Sequence, residues 1–199
     1  MVNISSPIMN GGGRIEVITG CMFAGKTTEL INRVNRAEVA GYDVEILTPE
    51  IDDRYGTETI NSHDGNQKEA RVVSTSPDKV EQLPTEIDGD VVAIDEANFF
   101  PPELASVCQR MANDGMRVIV SGIDTKFTGE PFEPLPTLMA IAELVDKHHA
   151  VCNSCMSEFA TKTQRLVDGE PAHVDDPLIV VGGNESYEAR CRDCHEVKG

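Results

Sequence analysis

Positive charge is scarce in this sequence. Its 199 residues carry 34 carboxylates against 17 lysines and arginines, a formal net charge of -17. Such a surface repels nucleic-acid backbones and anionic lipids, which argues against a general DNA or RNA binder. Long apolar runs are also missing. No stretch of about 18 apolar residues occurs, so no segment is expected to span a membrane. Met1 to Gly13 has neither a basic start nor an apolar core. It reads as a loose N-terminal arm rather than a signal peptide, and the expected location is the cytoplasm. There is no internal repeat and no low-complexity tract.

What is present suffices for an ordinary globular core, since 40% of the residues are hydrophobic. Apolar periodic segments recur along the chain, which excludes wholesale disorder. The acidic residues are spread evenly, as on a solvated surface whose self-repulsion is screened at high salt, and a halophilic source is expected.

Strands and helices alternate. Arg14 to Thr19, Val44 to Leu47, Val91 to Ile94 and Arg117 to Ser121 read as buried strands. Helices are expected from Lys26 to a stop at Gly41, after Pro101-Pro102 to a stop at Gly115, and from Pro136 to Lys147. Asp52 to Arg71 is polar and weakly periodic and reads as a long loop. This order implies a mostly parallel sheet with helices on both faces, and ligands beyond the carboxyl ends of its strands. Composition changes near His148, which divides the chain into the arm 1–13, a nucleotide-binding domain 14–148 and a small domain 149–199.

Gly20-Cys21-Met22-Phe23-Ala24-Gly25-Lys26-Thr27 fits G-x-x-x-x-G-K-[ST] between a predicted strand and a predicted helix. In such a loop backbone N–H groups cradle phosphate oxygens at the positive end of the helix. Lys26 reaches the β- and γ-phosphates, and the Thr27 hydroxyl can ligate Mg²⁺. Asp95-Glu96 follows the third strand, across from this loop. Asp95 is placed to hold Mg²⁺, directly or through water, and Glu96 to act as general base. In a hydrolytic ATPase of related fold the same glutamate would activate water instead.

Six cysteines do not make a disulfide framework. Cys152/Cys155 and Cys191/Cys194 form two C-x-x-C pairs, each able to turn two thiolates onto one metal, so the four complete a closed, structural Zn²⁺ site. His195 beside Cys194 is a further possible ligand that the four-cysteine solution does not need. Cys21 and Cys108 read as small apolar residues rather than nucleophiles.

These segments together resemble the zinc-containing (type II) thymidine kinases, from about Gly13 onward. The phosphate loop and Asp95-Glu96-Ala97-Asn98-Phe99-Phe100 resemble the family's motifs, with Asn98 where the family has Gln. The resemblance implies a P-loop NTPase-type α/β fold with a zinc-ribbon domain carrying a lasso loop. It makes Glu96 the base and extends the ATP-binding set over Gly20 to Thr27 and Asp95 to Asn98. Ile51-Asp52-Asp53-Arg54-Tyr55 is similar to a segment whose acid and arginine lie near metal and phosphates, here Asp52 and Arg54. Gly122 to Phe132 is similar to a segment that walls the thymine ring, with Phe127 in that role. Val180-Val181-Gly182-Gly183-Asn184-Glu185-Ser186-Tyr187 resembles the lasso over the nucleoside, with Thr163 and Met22 lining the base pocket. Implied with it are ATP and thymidine as substrates, Mg²⁺ with the ATP, thymidine triphosphate as feedback inhibitor and a homotetramer. Two readings of another class stay open on the residues alone. One is a nucleic-acid-linked motor ATPase, disfavoured by the charge; the other is a non-catalytic nucleotide sensor.

Overall fold

The structure is a computed structural model of the chain, and it describes residues 12–50, 59–61, 65, 67–178 and 187–199. Six strands make the main sheet: β1 (Arg14–Thr19), β2 (Val44–Pro49), β5 (Arg71–Val73), β6 (Val91–Ile94), β7 (Arg117–Gly122) and β8 (Leu144–Lys147). Their order is β5-β2-β6-β7-β1-β8, and every pairing is parallel. The central strands are largely apolar on both sides, Glu16 on β1 apart, because helices cover both faces. Along β1 the pleat sends Ile15 and Val17 into one core and Ile18 into the other.

On the Ile18 face lies α1 (Lys26–Val39), which buries Leu30, Ile31, Val34 and Ala37. It stops where Gly41 N–H bonds the Glu38 carbonyl at 2.9 Å and Tyr42 N–H bonds that of Ala37 at 3.1 Å. On the other face, α4 (Leu104–Asn113) buries Leu104, Val107, Cys108 and Met111 beside α5 (Leu135–Ile141). The short helices α2 (Pro77–Val80) and α3 (Leu83–Glu86) add Val80 and Leu83 to that core. Among the described residues no helix is long and apolar enough to cross a membrane.

Two expectations are corrected. The helix expected over Pro136–Lys147 ends at Ile141, and Leu144–Lys147 is instead the strand β8. A helix there would have left the edge of β1 without its ladder, whereas β8 pairs with Glu16–Thr19. Val145 belonged to that periodicity by spacing alone, and it lies 37% exposed on the edge. The segment read as one long loop also holds secondary structure. β3 (Thr59–Asn61) and β4 (Gln67–Glu69) pair as an antiparallel ribbon, and β5 begins at Arg71. Three-residue strands are too short to show a period.

Beyond Lys147 a second, three-stranded sheet is built from β9 (Lys162–Val167), β10 (Glu170–Pro171) and β11 (Tyr187–Arg190), with β9 central. A polar network sits under the main sheet. Glu16, 3% exposed, accepts from Arg117 Nε at 2.7 Å, Arg14 Nε at 2.8 Å and Arg33 Nη1 at 3.0 Å. Burial alone would raise the pKa of Glu16, but hydrogen bonds from Arg117 and Arg14 outweigh it and bring it to about 2.

Candidate active site

The phosphate loop takes its shape from backbone that few residues adopt. Gly20 has φ 143° and Gly25, capping α1, has φ 75°. A Cβ on Gly20 would lie 2.5 Å from the His148 carbonyl oxygen, so only glycine fits there. Phe23 also sits at positive φ, 64°, a strained conformation for an aromatic residue. Lys26 Nζ donates to the Cys21 carbonyl at 2.9 Å, which holds its ammonium across the loop.

β6 delivers the acidic pair to this loop. Thr27 Oγ1 donates to Asp95 Oδ2 at 3.0 Å, and Glu96 N–H donates to Asp95 Oδ1 at 3.0 Å. Burial pushes the pKa of Asp95 up, while Thr27, the Glu96 amide and the Lys26 charge pull against it. The Ser121 hydroxyl adjoins this carboxyl without a partner of hydrogen-bonding geometry. Glu96 itself has φ 51°. Enclosure, then the Asp95 charge, push its pKa up to about 7 against the opposing Lys26 charge, even though its side chain keeps partial access to solvent. Thr27, Asp95, Glu96 and Lys26 thus converge at the carboxyl ends of β1 and β6, where an open α/β sheet binds ligands.

Next in the chain, Ala97 and Asn98 are buried in a 3-10 turn over Ala97–Phe99. Asn98 Oδ1 accepts from Ile123 N–H at 2.9 Å, and its Nδ2 has no partner. The shorter amide therefore ties the acidic segment to the end of β7. Asp124, which the sequence did not single out as a site residue, is 4% exposed and pairs with Lys147 Nζ at 2.5 Å. Its other oxygen has no partner. Nothing in the sequence marks this pair, because 23 residues separate the two and only the sheet order brings β7 and β8 to either side of β1.

The cysteine lobe is packed directly against the phosphate loop. Cys21 and Ala24 share one buried cluster with Ala150, Cys152, Ala160, Ala189 and Cys191. Cys21 Sγ donates to the Ala160 carbonyl at 3.2 Å, Met22 N–H donates to Thr163 Oγ1 at 3.1 Å, and His148 Nδ1 lies 3.2 Å from the Ala24 carbonyl. Burial raises the pKa of Cys21 and of Cys108, the latter to about 12, so both thiols stay neutral as small apolar groups do.

The sulfurs of Cys152, Cys155, Cys191 and Cys194 all lie within 4.8 Å of one another, with Cys155 and Cys191 3.6 Å apart. Zn–S bonds of about 2.3 Å in a tetrahedron require sulfurs about 3.8 Å apart, so the donor set fits Zn²⁺. Burial opposes ionisation of Cys152, but hydrogen bonds from the backbone of Cys155, Cys191 and Ser154 outweigh it and lower its pKa to about 6. His195 is not part of this cluster. Its Nε2 lies 2.8 Å from the carbonyl of Phe127, which can only accept, so the imidazole donates.

Phe127 is 4% exposed, with the Arg165 guanidinium 5.5 Å over its ring. Thr163 and Arg165 are two apart on β9 and share a face. That face therefore touches both the phosphate loop, at Met22, and the aromatic side chain, at Phe127. Tyr187 opens β11, paired with Arg165. Asp52, Arg54, Val180, Val181, Gly182 and Gly183 lie outside the described residues.

Comparison with known proteins agrees with this geometry. The family model described as thymidine kinase matches residues 13–195. The chain is 57% identical over 191 residues to a thymidine kinase of Halobacterium salinarum, covering 96% of this chain and 97% of that one. It is 50% identical to a thymidine kinase of Haloquadratum walsbyi, covering 94% and 96%. Among solved structures, the Legionella pneumophila ATPase DotB is similar over 83% of this chain and 44% of that one. The identity is 15% and the TM-score 0.42, too loose a likeness to bear on the site.

Proposed function

The chain belongs to the thymidine kinase family, and from that premise we propose that it transfers the γ-phosphoryl group of ATP to the 5′-hydroxyl of thymidine, in the salvage of DNA precursors. The observation that carries the reading is the contact between Thr27 of the phosphate loop and Asp95, with Glu96 near enough to feel the charges of both Asp95 and Lys26.

Loop amides at the start of α1 would hold the polyphosphate, with Lys26 turning from the Cys21 carbonyl to its β- and γ-oxygens. Thr27 and Asp95, joined by Asp52 from the segment beyond β2, would hold Mg²⁺, which when bound neutralises charge on the phosphates. Arg54 would contact those phosphates. Glu96 accepts the proton of the 5′-hydroxyl as the new O–P bond forms and the bond from the γ-phosphorus to the bridging oxygen breaks, releasing ADP. Phe127, Thr163, Met22 and Tyr187, with Val180 to Gly183, would enclose the base. A pocket for the 5-methyl group is worth only about 1–3 kcal/mol, so deoxyuridine is expected to be a substrate too.

The four cysteines would hold a structural Zn²⁺, leaving no open position for chemistry. A homotetramer inhibited by thymidine triphosphate belongs to the same proposal.

ADP release across a panel of nucleosides at high salt tests the reading. Turnover with thymidine and deoxyuridine and none with purine nucleosides is expected. ADP release independent of any nucleoside, or stimulated by DNA, would replace a kinase with an ATPase.

A further inference from the structure

Gln164 projects from β9 to the opposite side from Thr163 and Arg165. It grips the segment after the last cysteine from both directions: Nε2 donates to the Glu196 carbonyl at 2.7 Å, and Glu196 N–H donates to Oε1 at 2.9 Å. Gln164 is 2% exposed, so this pairing is sheltered from water. Cys194 anchors the segment on one side and Gln164 on the other, and His195 is fixed between them. Its imidazole spans to the Phe127 carbonyl at 2.8 Å, joining two stretches 68 residues apart. Arg165 lies across the ring of the same phenylalanine. The main chain and the side chain of Phe127 are thus each held by the cysteine lobe.

We propose that His195 is a positioning residue for the nucleoside: its Nε2–H fixes the main chain at Phe127 and so sets the aromatic wall against which the base lies. This rests on the reading of Phe127 as that wall. The His195 imidazole is committed to the Phe127 carbonyl and stands outside the sulfur cluster. Its role is to transmit the rigidity of the cysteine lobe to a loop that leaves β7 and carries a buried aromatic side chain. The phosphate loop is held by other contacts of the same lobe, through Thr163 and Ala160. Losing the His195 bond is therefore expected to loosen the nucleoside side and spare the ATP side.

The experiment measures KM for thymidine and for ATP, with zinc per chain, in wild type, His195→Ala, His195→Gln and Phe127→Leu. Loss of one neutral hydrogen bond predicts a thymidine KM raised by up to about tenfold in His195→Ala, with the ATP KM unchanged. Glutamine presents an N–H at similar reach, so His195→Gln is expected to stay within about threefold of wild type. Equal rises in both KM values, loss of zinc in His195→Ala, or a glutamine variant as impaired as the alanine one would each overturn the proposal. Phe127→Leu separates the two layers. If it leaves the thymidine KM unchanged, the wall reading fails and takes the clamp with it. If it raises that KM while His195→Ala does not, the clamp alone fails.

Discussion

The two sides of this site are held by different physics. The phosphate side hangs from the ends of strands in a parallel sheet buried on both faces, and its shape is main-chain geometry at Gly20 and Gly25. The proposed nucleoside side leans on a three-stranded sheet whose buried cluster is mostly alanine and cysteine. The first can rely on an apolar core. The second has little apolar area, and the proposed zinc would staple it, as metals do in small lobes. Ways to break the site should therefore differ between its halves.

The largest effect is expected from Cys152→Ser. Structural zinc contributes roughly 10–16 kcal/mol of apparent binding energy, so losing a ligand should release the metal and melt the lobe. Measured zinc per chain should fall to near zero and thymidine binding should vanish. The main sheet should still unfold cooperatively, which a residual thermal transition would show.

Glu96→Gln attacks the other half without touching its framework. An isosteric amide cannot take a proton, so kcat should drop by about 10²–10⁴ while zinc content and thermal midpoint stay at wild-type values. Wild-type turnover would remove Glu96 from its role.

How far this was legible beforehand followed the same division. Gly20 to Thr27 and the four cysteines were readable because each motif compresses its geometry into a few adjacent residues. Strands β6 and β7 were readable because burial on both faces leaves an apolar run, and β1 because β-branched residues flank Glu16 and lead into the glycine of the loop. The exchange of helix for strand at Leu144 was not, because what decides it is the unpaired edge of β1, 125 or more residues earlier in the chain. Nor were Glu16 with its three arginines, or Asp124 with Lys147. Such pairs are assembled by sheet order, and no local pattern announces them.

The Glu16 network adds a pH limit to the first half alone. Its folded pKa near 2 lies below its ordinary 4.5, so the stabilisation is complete above about 4.5 and is lost as pH falls from there toward 2. The shift corresponds to something on the order of 3 kcal/mol. Denaturant midpoints of wild type and Glu16→Gln should differ at pH 7 and draw together as pH falls toward 2. A constant gap would mean that the charge of Glu16 is not what stabilises.

The smallest effect probes the seam. Thr163→Val removes the acceptor of the Met22 amide, a neutral hydrogen bond worth about 1 kcal/mol. ATP affinity should weaken by about fivefold, since the phosphate loop loses a brace from the cysteine lobe. Unchanged ATP affinity would show that the two halves touch without supporting each other.

The central claim is that a carboxylate stands across from the phosphate loop within reach of the sugar's 5′-hydroxyl. A crystal structure with ADP and thymidine measures it directly. The diphosphate should lie on the amides of Gly20 to Thr27, with a Glu96 carboxylate oxygen about 2.6–3.2 Å from the 5′-oxygen. A diphosphate bound elsewhere, or a Glu96 turned away from the nucleoside with no bridging water, would contradict it.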